Sequence, residues 1–207
     1  MGREIEIKIP LTTEEFDRLY DFICLKQSIV GVTIIGDAEK NCKRKFFLKK
    51  DEYFSRYDKE NERRKNNEPQ VIRIRTQDFE NERRSYFTIK RKIVEDGIEV
   101  NKEDETFIED AEVLRDFFAL AGYSKWFSKE KKACGVYCKF SSFEGVSFHL
   151  ELEIVNELKY VEIEVTDTQE SAKDIKAGLT EFVKALKLDP LKKDSRSWVE
   201  IILKRKF

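Results

Sequence analysis

The first residues of the chain, Arg3 to Ile9, alternate strictly between polar and apolar side chains. This period of two is typical of a β-strand, so Glu4, Glu6 and Lys8 share one face. Two carboxylates about 7 Å apart along a strand can hold a hard divalent cation, and a lysine one step further can hold a phosphate bound to the same cation. A solvated strand face is the alternative interpretation.

Two segments near the C-terminal end repeat this acidic pattern, at residues 149–154 and 160–165. Their paired carboxylates are Glu151, Glu153, Glu162 and Glu164. Like charges on one sheet face repel one another unless counter-charges lie nearby. The acidic strands therefore require basic partners from elsewhere in the chain.

The middle of the chain supplies those basic groups. Arg73 and Arg75 share one face of a predicted strand, and Lys90 and Lys92 share one face of the next. An open sheet could leave all these charges in water. A closed barrel with its polar face inward would instead form a tunnel with an acidic wall and a basic wall, the inverse of a small barrel filled by apolar side chains.

Length and composition limit the class of protein. The 207 residues, with 3 Pro, 8 Gly and no linker-like stretch, predict one domain spanning residues 1–207. The chain has 40 basic and 41 acidic residues, which gives a net charge of −1. This balance argues against a nucleic-acid partner, because such proteins usually carry an excess of positive charge. No apolar run is long enough to span a membrane or to form a secretion signal, so we expect no membrane association and a cytoplasmic location.

Histidine and cysteine content narrows the chemistry. His149 is the only histidine, which disfavours histidine-based catalysis and zinc sites. The four cysteines are too few and too scattered for a disulfide framework, and we interpret them as reduced thiols. An enzyme of this composition would work with carboxylates, lysines and arginines.

The elements that would position these residues form an α+β plan of seven or eight strands with a few helices. Predicted extended segments are 3–9, 43–57, 70–76, 84–93, 98–108, 126–140, 145–155 and 158–166, and 28–35 is either a strand or an excursion. Predicted helices are 12–26, 110–122, 168–186 and 195–204. The charge-dense run 58–69 predicts a flexible loop, and Gly97 predicts a hairpin turn.

Taken in order, these segments resemble the motifs of the CYTH family, the triphosphate tunnel metalloenzymes that include class IV adenylyl cyclases and thiamine or inorganic triphosphatases. Glu4-Ile-Glu-Ile-Lys8 resembles the ExExK signature. In the first half of the chain, Asp51-Glu-Tyr-Phe54 resembles D-x-Y-F, Ile72-Arg-Ile-Arg75 resembles L-R-I-R, and Phe87-Thr-Ile-Lys90 resembles L-T-x-K. In the second half, the segment 129–132 resembles K-x-K/R, Tyr160-Val-Glu-Ile-Glu164 resembles F-x-E-I-E, and Ser195-Arg-Ser-Trp-Val-Glu-Ile-Ile202 resembles R-S-Y-x-x-L. The resemblance covers nearly the whole chain.

The resemblance implies a closed eight-stranded antiparallel barrel that binds a linear triphosphate with Mg²⁺ or Mn²⁺, with helices packed outside. The metal-side residues it implies are Glu4, Glu6, Glu151, Glu153, Glu162 and Glu164. The residues it implies for gripping phosphate are Lys8, Arg73, Arg75, Lys90, Lys129 and Lys131, and Glu4, Glu6, Lys8 and Lys90 would be catalytic. Arginine forks suit bidentate contacts with phosphate oxygens, and lysines act as point charges.

Three positions depart from the family pattern. Ala133 stands where a basic residue usually follows the K-x-K/R strand, and residues 101–105 (N-K-E-D-E) stand where the pattern is R-x-E-x-E. Lys102 is a candidate substitute for the arginine, but with Glu103 and Glu105 facing inward it would point outward. The aspartate that precedes the last acidic strand corresponds to Glu151 or Glu153, each one residue out of the usual spacing.

We therefore expect a metal-dependent hydrolase of a triphosphate-containing small molecule: inorganic tripolyphosphate, thiamine triphosphate or a nucleoside triphosphate. A class IV adenylyl cyclase, which makes cyclic AMP and pyrophosphate from ATP, needs the same charges and is the first alternative. An RNA 5′-triphosphatase and a non-catalytic binder of nucleotides or polyphosphate are further alternatives. The sequence leaves the oligomeric state open, including a homodimer.

Overall fold

The computed structural model describes residues 2–35, 43–57, 59, 62, 70–95, 98–166 and 170–204. Within these ranges nine strands form one antiparallel sheet: β1 (Gly2–Pro10), β2 (Val32–Ile35), β3 (Lys43–Ser55), β4 (Gln70–Asp78), β5 (Arg83–Glu95), β6 (Ile98–Ile108), β7 (Ser124–Phe140), β8 (Phe143–Val155) and β9 (Leu158–Thr166). The helices are α1 (Thr13–Ile23), α2 (Ala111–Leu120), α3 (Ala172–Ala185) and α4 (Trp198–Lys204), with a 3₁₀ turn at Pro190–Lys192.

Eight of the strands close into a barrel. Their order is β7, β3, β4, β5, β6, β1, β9 and β8, and pairing of β8 with β7 completes the ring. The predicted eight-stranded antiparallel barrel is confirmed. The ninth strand, β2, pairs with the far end of β7, where Val32 lies opposite Phe140. The segment 28–35 thus supplies one short extra strand.

The observed strands agree closely with the alternation in the sequence. β6 and β9 begin and end at the predicted residues, and β7 and β8 each begin two residues earlier than predicted. The predicted turn at Gly97 and, apart from residues 59 and 62, the predicted loop 58–69 lie outside the described residues.

The apolar core lies outside the barrel. Ile5, Ile7 and Ile9 of β1 are almost completely buried, and they belong to one cluster with the apolar faces of α1 and α3. In that cluster the rings of Phe148 and Phe182 stack with centroids 4.5 Å apart. Truncation of such a buried ring to alanine costs about 3–5 kcal/mol. Because the helices bury the outer face, the inner face is free to be polar.

Capping residues define where the helices begin. Thr12 and Glu15 form a capping box at the start of α1, with the Glu15 N–H donating to Thr12 Oγ1 at 3.1 Å. The Asp110 carboxylate caps α2, whose predicted range also begins at this residue. α4 begins at Trp198 rather than at residue 195, because the Ser197 hydroxyl accepts from the Glu200 N–H and so caps the helix at that point.

Of the helices in the described ranges, none combines the length and the apolar character that a membrane span requires.

Candidate functional site

The inner faces of the barrel strands enclose one cavity of about 540 Å³. The predicted site residues that line it are Glu4, Glu6, Lys8, Arg73, Arg75, Lys90, Lys129, Lys131, Glu151, Glu162 and Glu164. Glu153 does not line the cavity and is completely buried behind it. Strands far apart in the sequence therefore bring eleven of the twelve predicted side chains to one enclosed space.

Glu4, Glu6 and Glu164 form what we call the first carboxylate cluster. Carboxylate oxygens of these residues lie within 4.8 Å of one another, because β1 is paired with β9 and places Glu6 directly opposite Glu164. The Lys90 ammonium lies 3.0 Å from Glu4 Oε1 and 3.5 Å from Glu6 Oε2. Burial raises the pKa of Glu4 well above its ordinary value, although Lys90 opposes this shift.

Two further glutamates of β6 extend this acidic region. Glu99 lies opposite Glu6 across the β1–β6 pair, and Glu103 is 3.4 Å from the Lys90 ammonium. Burial and the adjacent Glu6 carboxylate raise the pKa of Glu99 to about 8. Glu99 also pairs with Lys92, and Glu103 lies 3.0 Å from Arg73 Nη2, so each of these two glutamates has a basic partner.

Glu151, Glu153 and Glu162 form a second carboxylate cluster, and their oxygens also lie within 4.8 Å of one another. The Lys131 ammonium lies among them: it donates to Glu153 and is 3.6 Å from both Glu151 and Glu162. Lys49 of β3 donates to Glu151 at 2.6 Å.

These lysines control the ionisation of the second cluster. Although burial acts in the opposite direction, Lys49 and Lys131 lower the pKa of Glu151 to about 2. Lys131 likewise lowers the pKa of Glu162 to about 2. Burial lowers the pKa of Lys131 itself to about 7, so its charge depends on the carboxylates that surround it.

The basic wall is organised around Asp51, which is completely buried. Arg75 makes a two-point contact with its carboxylate, with Nε 2.7 Å from Oδ1 and Nη2 3.0 Å from Oδ2. Lys129 lies 3.4 Å and Arg73 3.9 Å from Oδ2. Burial acts in the opposite direction, yet these three cations hold the pKa of Asp51 well below its ordinary value. One carboxylate therefore keeps three phosphate-gripping candidates together.

The segment before α4 contacts one part of the cavity. Lys8 Nζ donates to the carbonyl oxygen of Arg196 at 2.6 Å. Trp198 Nε1 donates to Glu162 Oε1 at 2.8 Å, and the Lys129 ammonium lies 5.3 Å from the centre of the indole ring. Lys8 is thus shared between the tunnel and the chain segment that covers it.

Several residues of the site were not predicted as such. Lys49, Glu99 and Glu103 share the inner faces of their strands with predicted residues, so strand alternation alone could have identified them. The sequence gives His149 no role in the site, but it lines the cavity with Nδ1 3.0 Å from Glu164 Oε1. This hydrogen bond raises the pKa of His149 although burial opposes it.

The departures from the family pattern also have a place in the structure. Ala133 is completely buried and lies opposite Phe47 on β3 and Glu153 on β8. The basic residue of the family pattern is thus replaced here by a small apolar side chain. Lys102 is exposed, as expected for a side chain that points outward. Glu151 and Glu153 share the inner face of β8, and only Glu151 reaches the cavity.

The donor set of the two clusters fits a hard divalent cation. Carboxylate oxygens are the ligands that Mg²⁺ prefers in proteins, and each cluster presents three of them within a small volume. The first cluster also has more acids than nearby lysines. Glu4, Glu6 and Glu164 are therefore the residues best suited to hold Mg²⁺ or Mn²⁺.

The fold is shared with solved structures. A protein of Pyrococcus horikoshii superposes with a TM-score of 0.71 at 18% identity, covering 98% of this chain and 99% of that one. A putative adenylate cyclase from Vibrio parahaemolyticus gives a TM-score of 0.63 at 13% identity, covering 96% and 97%. A putative adenylyl cyclase from Hippeastrum, described as having a dominant triphosphatase activity, gives 0.58 at 15% identity, covering 100% and 96%.

No protein-family profile matches the chain, and no curated protein sequence matches it. At the identities found, the structural comparisons establish the fold: a closed eight-stranded barrel of the kind that the CYTH resemblance predicted. The predicted fold resemblance is confirmed across nearly the whole chain.

Proposed function

We propose that this protein is a divalent-metal-dependent hydrolase of triphosphate substrates: inorganic tripolyphosphate, thiamine triphosphate or a nucleoside triphosphate. One observation carries the proposal: an acidic wall and a basic wall lie in the same enclosed cavity, with Glu4 and Glu6 on one side and Arg73 and Arg75 on the other. A linear chain of phosphoryl groups with a bound cation presents the complementary pattern of charge.

The basic residues would bind the phosphate chain. Arg73 and Arg75 present planar forks held by Asp51, and Lys129 adds a point charge beside them. Phosphate oxygens would compete with the Asp51 carboxylate for these groups, so the basic wall can contact phosphate without a further basic side chain moving into the cavity. The buried surroundings strengthen each of these contacts relative to water.

The acidic residues would bind the cation, which when bound supplies charge neutralisation of the phosphates and activation of a water molecule. Lys90 lies beside Glu4 and Glu6 and is placed to contact a terminal phosphate oxygen as well as the acids. Lys8 would contribute in the same way once its contact with the Arg196 carbonyl is released. The enclosing strands limit access of bulk water.

Adenylyl cyclase activity is the second candidate, and one feature of the cavity favours it. Tyr53, Trp126 and Trp198 line the same cavity as the charged residues. Aromatic rings are the usual stacking surfaces for a nucleobase. Two of the solved structures with this fold are described as putative adenylate or adenylyl cyclases.

A product assay separates the candidates. The protein is incubated with tripolyphosphate, thiamine triphosphate or ATP in the presence of Mg²⁺ or Mn²⁺, and orthophosphate, pyrophosphate and cyclic AMP are measured. Release of orthophosphate supports the hydrolase. Pyrophosphate together with cyclic AMP would replace it with the cyclase, and tight binding without turnover would replace it with a binding protein.

A matched variant links any activity to the cavity. Glu4→Gln with Glu6→Gln removes two charges from the first carboxylate cluster, and Glu14→Gln with Glu15→Gln removes two from the surface of α1. Only the first pair should abolish metal-dependent turnover.

We also propose a cytoplasmic location, on the composition and the reduced state expected of the cysteines.

A further inference from the structure

Asn101 is the polar residue of the barrel interior that the proposed function leaves unexplained. It lies on the inner face of β6 between Glu99 and Glu103, and it is 1% exposed. Among the described residues neither its side-chain oxygen nor its side-chain nitrogen has a hydrogen-bond partner. Buried amides are almost always paired, and an exception points to an ion or water that the amide binds.

The register places this amide beside the first carboxylate cluster. Asn101 lies directly opposite Glu4 on β1 and directly opposite Lys92 on β5. Side chains that face each other across an antiparallel pair have Cβ atoms about 4.5–5.5 Å apart. The Asn101 side chain is therefore a direct neighbour of Glu4 on the inner face of the sheet.

The surrounding groups show what Asn101 can bind. Lys92 is already engaged with Glu99 and with the Ser195 carbonyl oxygen, so it is not available to the amide. The Lys90 ammonium is likewise engaged, 3.0 Å from Glu4 Oε1 and 3.4 Å from Glu103 Oε2. The other inner-face groups next to Asn101 are carboxylates, whose oxygens repel the amide oxygen. An amide oxygen surrounded by carboxylate oxygens is stabilised by a positive ion placed between them.

A neutral ligand also suits the charge of this region. Glu4, Glu6, Glu99 and Glu103 already lie close together, so another carboxylate would add to their mutual repulsion. Asparagine supplies an oxygen without adding a negative charge.

We propose that Asn101 contributes its side-chain oxygen to the coordination of the divalent cation held by Glu4 and Glu6. This inference rests on the proposed function, because it requires that the first carboxylate cluster binds a metal ion. The metal ligands would then come from three strands: β1, β9 and, through Asn101, β6.

Binding of Mn²⁺ in the absence of any phosphate compound tests the inference. Free Mn²⁺ is followed by its electron paramagnetic resonance signal during titration of the full chain. Asn101→Ala should raise the Kd for Mn²⁺ about tenfold, since loss of a ligand or of the groups that orient it typically costs 10–100-fold in affinity. Asn101→Asp retains an oxygen and should bind Mn²⁺ at least as tightly as the parent protein. Lys102→Ala, the adjacent exposed position, is the matched control and should not change Kd.

Thermal unfolding in EDTA distinguishes a ligand from a structural residue. Because the amide has no partner, Asn101→Ala should unfold in EDTA at the same temperature as the parent protein or higher, and should gain less on addition of Mn²⁺. A lower unfolding temperature in EDTA, with an unchanged Mn²⁺ affinity, would show that Asn101 is structural and would overturn the inference.

The Glu4→Gln, Glu6→Gln variant separates this inference from the proposed function. If that variant loses Mn²⁺ binding while Asn101→Ala retains the parent Kd, the inference about Asn101 is wrong and the proposed function stands. If the parent protein binds Mn²⁺ no better than the Glu4→Gln, Glu6→Gln variant, both are wrong.

Discussion

The two carboxylate clusters of the barrel interior differ in how they are neutralised. In the second cluster the Lys131 ammonium lies among Glu151, Glu153 and Glu162, and Lys49 adds a further contact. In the first cluster Lys90 contacts Glu4 and Glu6 from one side, whereas the neighbouring Glu99 pairs with Lys92 and Glu103 lies 3.0 Å from Arg73 Nη2.

This difference changes how the two clusters ionise. In the second cluster the pKa values of Glu151 and Glu162 are both lowered to about 2, whereas in the first cluster burial raises the pKa of Glu4 well above its ordinary value and Lys90 helps to keep the pKa of Glu6 below its own. A cluster that already contains its own ammonium gains little from a metal ion, and one with surplus carboxylates gains much. The comparison favours the first cluster as the metal site and the second as a structural and substrate-positioning element.

The largest expected effect is on turnover. Glu4→Gln combined with Glu6→Gln should lower metal-dependent triphosphate hydrolysis about 100- to 1,000-fold, since a metal ion contributes several kcal/mol to transition-state stabilisation. Glu153→Gln, in the second cluster and away from the cavity, should lower it far less. Steady-state rates with tripolyphosphate measure both. Equal losses in the two variants would contradict the distinction between the clusters.

Lys131→Met should destabilise the protein by about 3–5 kcal/mol, because it leaves three buried carboxylates without the cation at their centre. Urea unfolding at pH 6, below the pKa of Lys131, measures the free energy of unfolding. Adding Glu153→Gln to this variant should recover part of the loss. A change below about 1 kcal/mol would show that Lys131 is not the counter-ion of the second cluster.

Mn²⁺ should stabilise the parent protein by about 2.7 kcal/mol when present at 100 times its Kd. The stabilisation should disappear in Glu4→Gln, Glu6→Gln and persist in Glu151→Gln, which alters only the second cluster. Thermal unfolding with and without Mn²⁺ gives the shift for each. Loss of the shift in Glu151→Gln would place the metal ion between the clusters rather than in the first.

The smallest expected effect is on the pH dependence of the metal-free protein. A carboxyl with a folded-state pKa of about 8 holds its proton in the folded state over a range where the unfolded state has lost it. The folded state is therefore favoured below about pH 4.5 and loses stability as the pH rises toward 8. Glu99→Gln should remove about 1 kcal/mol of this loss between pH 5.5 and 6.5, since one pH unit inside this range corresponds to about 1.4 kcal/mol. Denaturant unfolding in EDTA at both pH values tests it, with Glu95→Gln on the same hairpin as control.

Much of the fold could be predicted from the alternation of side chains along single strands. The period of two in residues 3–9, 149–154 and 160–165 identified which side chains share a face, and β6 and β9 have the predicted bounds. The start of α4 was predicted three residues early, because a helical pattern does not reveal that Ser197 caps the helix.

The sequence could not predict which side chains of the site form ion pairs and hydrogen bonds with one another. Lys90 contacts Glu4, which is 86 residues away, and Lys49 contacts Glu151, which is 102 residues away. A period of two shows that two residues face inward, but the distance between them depends on the register of strands joined through the whole ring. His149 was missed for the same reason, since its contact with Glu164 exists only through the pairing of β8 with β9.

The order of polar and apolar residues was sufficient to establish a charged inner face and an apolar outer face, because each strand shows its two faces in its own local sequence. Which lysine neutralises which carboxylate, and that Asn101 is buried beside Glu4 with no partner among the described residues, were decided only by closure of the barrel. Closure fixes the register of every strand against its neighbours, and Coulomb interactions depend on the resulting distances rather than on position in the chain.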